Sequence, residues 1–211
     1  AVGVYAGYTG QGASATAVGN LAGETNQGAG AVAVGIYAGK TTQGASAIAI
    51  GGEAGETSQG DFAVAIGYFA GETSQGNNAT AIGDQAGETN QGAGAVAVGV
   101  YAGETTQGNF AVAIGIEAGQ TTQGTRAVAV GNQAGKTNQG ADAVAVGGAA
   151  GETNQAANSI VLNATGAALN NIVEDVFIVK PVRGVAGATL PAGFKQVAYN
   201  PTTGEFIYYD A

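Results

Sequence analysis

Small apolar residues alternate with β-branched residues in short runs that return along the chain at a constant spacing. The runs begin at Ala15, Ala31, Ala47, Ala63, Ala79, Ala95, Ala111, Ala127 and Ala143. Each start lies 16 residues after the previous one, without an insertion. The consensus of one unit is A-V-A-V-G-x-x-A-G-E-T-x-Q-G-x-x, whose positions are numbered 1 to 16 below. Alternation with period two and β-branched residues predicts a short β-strand over AVAV.

Each unit therefore predicts one coil of an all-β, parallel β-solenoid or β-roll. A second short strand is expected over T-x-Q, and a unit of this length is too short for a helical repeat, which needs about 33 residues. The position-5 glycines are expected to supply turns with positive φ or close backbone approach. These are Gly35, Gly67, Gly99 and Gly131. About ten coils at the usual strand spacing would stand about 45–50 Å tall.

The strand AVAV has two faces, and the sequence suggests which one is the core. Positions 2 and 4 carry Val or Ile in most units, so we expect residues such as Ile66, Ile82 and Val98 to point into the roll. Positions 1 and 3 are Ala, as at Ala97 and Ala113, where a water-facing strand would carry polar residues. The Ala face is therefore expected to meet a second chain, because one coil alone offers a thin core.

The other half of the unit predicts polar columns. Thr at position 11 and Gln at position 13 should stack between coils, and stacked Gln amides hydrogen-bond along such a stack. Glu72, Glu88 and Glu104 would stack at position 10, where like charges repel, so that column is expected to be solvated. A calcium site is disfavoured, because the Asp-bearing nonapeptide of calcium β-rolls is missing.

Composition excludes several functional classes. The chain has 211 residues, 15 acidic and 6 basic, and its formal net charge of −9 argues against a nucleic-acid partner. It contains no Cys and no His, and nothing pairs a nucleophile with a base, so no enzymatic activity and no cofactor or metal are expected. No apolar run approaches the length of a membrane span, so membrane insertion is not expected.

Aromatic residues interrupt the repeat at two positions. Tyr37, Phe69 and Tyr101 occupy position 7 in every second coil, and Phe62 and Phe110 occupy position 16. Aromatic faces are apolar platforms with polar edges, so these five residues are candidate receptor contacts that could stack on sugars. Packing on a neighbouring chain or coil is the alternative.

The repeat ends at Gln155, which divides the chain into a solenoid shaft, 1–155, and a C-terminal region, 156–211. Ser159–Asn163 is interpreted as a terminal, atypical coil. A strand is predicted within Asp175–Val182. A β-hairpin is predicted from Gln196–Tyr199 and Glu205–Tyr209, because the residues between them, N-P-T-T-G, favour a turn.

Two families resemble parts of this sequence. The coil AVAVGxxAGxTxQGxxAVAIG resembles the head repeats of trimeric autotransporter adhesins, which implies a left-handed β-roll in a homotrimer. The tail, NSIVLNATGAALN…FIVKPVR…VAYNPTTGEFIYYD, resembles the segment before endosialidase-type intramolecular chaperones in fibres of tailed phages and large DNA viruses. That resemblance implies a downstream chaperone that trimerises the fibre and is then cleaved off.

These resemblances lead to an expected function. The chain is expected to be a homotrimeric fibre segment on a virion surface, or otherwise extracellular, that attaches to a glycan or protein of a host surface. A bacterial trimeric autotransporter adhesin head is the first alternative. A monomeric ice-binding solenoid, with T-x-Q rows as its ordered hydroxyl surface, is the second.

Overall fold

The computed structural model describes residues 1–181 and the strands Gln196–Asn200 and Glu205–Tyr209. Over residues 1–180 the chain forms an all-β parallel solenoid of about ten turns with 16-residue coils, which confirms the predicted fold class at this level. Within the described part of the chain there is no helix long and apolar enough to cross a membrane.

Two parallel sheets run along the solenoid, and a regular coil contributes one strand to each. The Val/Ile sheet contains β1 (Thr16–Val18), β3 (Val32–Val34), β5 (Ile48–Ile50), β7 (Val64–Ile66), β9 (Thr80–Ile82), β11 (Val96–Val98), β13 (Val112–Ile114), β15 (Val128–Val130), β16 (Val144–Val146), β17 (Ile160–Asn163) and β18 (Phe177–Lys180). The Thr/Gln sheet contains β2 (Thr25–Gln27), β4 (Thr41–Gln43), β6 (Thr57–Gln59), β8 (Thr73–Gln75), β10 (Thr89–Gln91), β12 (Thr106–Gln107) and β14 (Thr122–Gln123). Equivalent residues of successive coils pair directly, as Val96 does with Val112 and Thr41 with Thr57.

The core of the solenoid lies between the two sheets, and the predicted facing of the strand was wrong. Ala97 and Ala113 have no exposed surface and pack inside their own chain rather than against another one. Ile66 and Ile82 point outwards, and about 36% and 38% of their surface is exposed. In the regular coils, Ala from one sheet and Gln from the other fill the interior, and Val161 takes the place of Ala only in the atypical strand β17.

A ladder of buried Gln side chains joins the coils and the sheets. Gln91 Nε2 donates to Oε1 of Gln107 in the next coil at 3.1 Å and to the carbonyl oxygen of Thr80 in the Val/Ile sheet at 2.8 Å. Gln91 Oε1 accepts from Gln75 Nε2 at 3.0 Å. Only 1–2% of the surface of these side chains is exposed. The predicted Gln ladder is thus confirmed, and it lies inside the roll.

Both reasons expected for the position-5 glycines are present in the structure. Gly35, Gly67, Gly99 and Gly131 have φ of 139°, 136°, 131° and 131°. A Cβ on Gly99 would lie 2.6 Å from the carbonyl oxygen of Gly115 in the next coil. A side chain is therefore excluded by the backbone conformation and by the stacking distance together.

The C-terminal elements match the predicted strands. β17 pairs in register with β16, and β18 lies within the strand predicted over Asp175–Val182. The chain separates into two compact units, Ala1–Lys180 and Pro181–Ala211. In the second unit, β19 (Gln196–Asn200) and β20 (Glu205–Tyr209) pair antiparallel and confirm the hairpin. The middle of the predicted turn lies outside the described residues, and the division at residue 155 stays a prediction.

Candidate functional site

The outer face of the Val/Ile sheet is an uncovered apolar surface that runs along the described solenoid. The most exposed position-4 side chains have 36–41% of their surface accessible: Val18, Ile50, Ile66, Ile82, Ile114 and Val146. Positions 2 and 4 carry no charged residue in any coil. Parallel sheets are almost always covered on both faces, and large exposed apolar surfaces mark interaction sites. With about ten strands at the usual spacing, this face is about 45 Å long.

Position 6 extends this apolar face along one side of the solenoid. The chain leaves the Val/Ile sheet there, and positions 5–10 are called the outgoing edge. Ile36, Tyr68, Val100 and Ile116 are exposed at position 6, with accessible fractions from 36% to 56%. In the other complete coils of the repeat, position 6 is a polar residue, such as Asp84, or Gly. The outgoing edge is therefore apolar at particular levels only.

Three of the five predicted receptor contacts lie on the outgoing edge. Tyr37, Phe69 and Tyr101 are half-buried, and their φ values are 59°, 55° and 58°. The Lys40 ammonium lies 4.6 Å from the centre of the Tyr37 ring, and the rings of Phe69 and Tyr68 are 3.9 Å apart between centroids. These rings are thus packed against their own chain while part of each surface stays open.

The other two candidates lie on the opposite side, where positions 14–16 form the returning edge. Phe62 and Phe110 are exposed, at 61% and 64%. The Phe110 ring covers Gly94 of the preceding coil, where an added Cβ would come within 2.8 Å of a ring carbon. Because the two edges are separated by the width of the coil, the five predicted residues do not form one site within a single chain.

The acidic column at position 10 is half-buried, whereas the sequence suggested a solvated column. Carboxylate oxygens of Glu53, Glu56 and Glu72 lie within 4.8 Å of one another, and Lys40 Nζ is 3.0 Å from Glu56 Oε1. Burial raises the pKa of Glu72, and the charges of Glu88, Glu56 and Glu53 raise it further. These carboxylates therefore lie close together although their negative charges repel one another.

Elsewhere on the outgoing edge, basic side chains offset this repulsion. Lys136 Nζ lies 2.6 Å from Glu117 Oε2, and the amide of Gln133 donates to the same carboxylate. Both contacts lower the pKa of Glu117. The edge thus contains carboxylates with a basic partner, such as Glu117, and carboxylates whose pKa is raised by burial and by their acidic neighbours, such as Glu72.

The sequence analysis did not identify the Val/Ile face as an outer surface, because its pattern of Val and Ile is also typical of a buried strand. The signal that could have revealed it is the pairing of uniform Ala in one strand with uniform Gln in the other. Ala and Gln together fill the interior of the regular coils, so Val and Ile of these coils lie on the outer face. Comparisons with protein-family models, with curated proteins and with solved structures found no match for this chain.

Proposed function

We propose that the chain is the shaft segment of a homotrimeric attachment fibre. The observation that carries this proposal is the uncovered Val/Ile face, which a second and a third copy would bury along the fibre axis. This surface replaces the Ala face as the interface between chains. Parallel copies at the same height would cover it with a matching apolar face over its whole length, as parallel sheets require.

The number three and the attachment role rest on the resemblance of the repeat to adhesin heads and of the tail to fibre segments. A stiff shaft would carry its side chains away from the particle or cell that bears it. Repeated aromatic residues on such a shaft would give many weak contacts with a glycan, and repetition raises the effective concentration of each next contact. The proposed surface and role are the same whether the chain is a viral fibre segment or a bacterial adhesin head.

Static light scattering tests the assembly. Wild-type protein should have three times the mass of one chain, and Val98→Lys should be monomeric, because each chain would place a charge in the apolar interface. Thr105→Lys is the matched control, since Thr105 is exposed and directly precedes β12 of the Thr/Gln sheet, and it should stay trimeric. A monomeric wild type would overturn the proposal, and a dimer would overturn its stoichiometry.

Attachment is tested with the same trimers on glycan-bearing cell surfaces. The combined variant Tyr37→Ser, Phe69→Ser and Tyr101→Ser should keep its trimeric mass and lose at least tenfold in apparent affinity. If the variant binds as well as wild type, the outgoing edge is not the receptor surface. If it loses assembly instead, these rings serve packing.

A further inference from the structure

This inference rests on the proposed trimer and concerns the seam between its chains. In a ring with three-fold symmetry, each interface is heterologous, so one side of a chain meets the opposite side of the next. The strands of the Val/Ile sheets would then follow one another head to tail around the axis. Position 6, at the start of the outgoing edge of one copy, would face the returning edge of its neighbour at the same height.

We propose that Phe62 and Phe110 lock this seam and fix the relative height of the chains. Phe62 would pack on Tyr68 of the next copy, and Phe110 would pack between Val100 and Ile116 of the next copy. The seam would thus contain two apolar clusters at defined levels. The partner is a second copy of this chain, and the two phenylalanines are packing residues rather than receptor contacts.

The heights of these residues support the pairing. One coil of 16 residues rises by about one strand spacing, so each residue adds about 0.3 Å along the axis. Phe62 of one chain then lies within about 2 Å in height of Tyr68 in the next. Phe110 lies within about 3 Å in height of both Val100 and Ile116. An aromatic ring spans such differences easily.

Exposure points to the same residues. Phe62 and Phe110 are 61% and 64% exposed, while Tyr68 and Ile116 are 54% and 52% exposed. All of these side chains therefore have apolar surface that their own chain does not cover. Burying it in the seam would add to the apolar burial that the Val/Ile face provides.

The polar residues of the two edges also match by level. Asp84 on the outgoing edge would lie next to Asn78 on the returning edge, and Asn132 would lie beside Arg126. Both returning-edge residues are exposed, and each can donate a hydrogen bond across the seam: Asn78 through Nδ2, and Arg126 through Nη1, since its Nε and Nη2 donate to Asp142. Ile36 is the exception, because it would face the small residues of the returning edge near Ser46. Both phenylalanines would thus face apolar residues of the next copy. Asn78, between them, and Arg126, above them, would face polar residues.

This matching would exclude displaced alignments. Identical coils allow neighbouring chains to shift by one coil at little cost to the Val/Ile faces, because each coil offers nearly the same surface. A shift in one direction would place Asp84 beside Phe62. The opposite shift would place Asp84 beside Phe110. Either displacement would bury a carboxylate against an aromatic ring, so the in-level alignment is preferred.

Disulfide trapping tests the seam directly, because the chain has no cysteine of its own. The matched variants combine Phe62→Cys with Tyr68→Cys, and Phe110→Cys with Ile116→Cys. Within one chain each pair flanks opposite ends of a strand, β7 or β13, and lies beyond the Cα separation of about 7 Å that a disulfide tolerates. Only contacts between chains can therefore close these bonds.

The control variant combines Phe62→Cys with Ile116→Cys, whose heights differ by about 16 Å along the axis, because Ile116 lies three coils beyond Tyr68. After mild oxidation, non-reducing gels should show covalent trimers for both matched variants and at least tenfold less cross-linking for the control. Light scattering and melting curves of the reduced proteins establish that each variant is assembled and folded.

The outcomes separate this inference from the proposed function. Trimeric protein whose matched pairs cross-link no more than the control overturns the seam and leaves the trimer intact. A monomeric wild type overturns the proposed function and the seam with it. Two independent levels are tested, so a folding defect in one pair leaves the other pair decisive.

Discussion

Replacing Gln91 by Glu should weaken the solenoid in a way that depends on pH. The Gln91 amide donates to the Thr80 carbonyl at 2.8 Å and to Gln107 Oε1 at 3.1 Å, and only 2% of its surface is exposed. An ionised Glu has the same shape and no donor. It would therefore direct its negative charge at two oxygen atoms that have lost the hydrogen bonds from the Gln91 amide.

The size of the effect follows from these two contacts. Each buried acceptor left without a donor costs about 1–3 kcal/mol, so the ionised form should lose about 4 kcal/mol. For a chain of this length, that loss lowers the melting temperature by about 8–16 °C. The protonated form recovers one donor and should lose about half as much.

The sign of the pH dependence follows from burial. Burial and the two facing oxygens raise the folded-state pKa of the introduced carboxyl group above its unfolded value of about 4.3. The folded variant then binds its proton more tightly than the unfolded chain does. The destabilisation relative to wild type should therefore be smallest near pH 4 and should grow as pH rises towards the folded pKa.

The assay is thermal unfolding followed by circular dichroism at pH 4 and pH 8, always as a difference from wild type. Asn90→Asp is the matched control, because it makes the same amide-to-acid change at an exposed neighbour and should cost less than about 0.5 kcal/mol. Equal losses for the two variants, or a loss for Gln91→Glu that does not change with pH, would refute the buried ladder.

Two further substitutions test other parts of the solenoid. Glu72→Gln should raise the free energy of unfolding at pH 7 by up to about 1 kcal/mol, measured by thermal unfolding. The folded pKa of Glu72 lies above its ordinary 4.5, so its carboxyl group becomes protonated and uncharged in the folded protein as pH falls towards 4.5. The gain from Gln should therefore disappear near pH 4.5, and a gain that persists there would contradict the repulsion. Gly99→Ala should cost more than about 3 kcal/mol, because its Cβ would meet the Gly115 carbonyl, whereas Gly166→Ala, with φ of 73° and open space, should cost about 1 kcal/mol. Equal melting temperatures for the two Ala variants would contradict the stacking distance.

The repeat predicted the coils, the strands and their register, because stacked identical units leave almost no freedom in pairing. The facing of the AVAV strand could not be read in the same way. Alternation shows that Ala97 and Val98 lie on opposite faces, but it does not show which face is inside. That choice depends on the distance between the sheets, and this distance is set by Gln91 and its equivalents from the other half of the coil.

The candidate contacts were predicted only as positions in the repeat. Position 7 and position 16 could be located from the period, but their separation onto two edges depends on where the chain turns. The half-burial of Glu72 was equally hidden, because it arises from the folding of the outgoing edge around Glu53 and Glu56. Local sequence does not contain these distances.

The backbone bonds between coils, such as that from Gly99 N to the Ile82 carbonyl, run parallel to the long axis of the solenoid. Tension along that axis would load the coils in series, so the shaft would yield by peeling from one end rather than by sliding of its sheets. Each coil released would lengthen the chain by about 50 Å, since 16 extended residues replace one strand spacing. A pulled solenoid would thus lengthen in equal steps and dissipate a sudden load coil by coil.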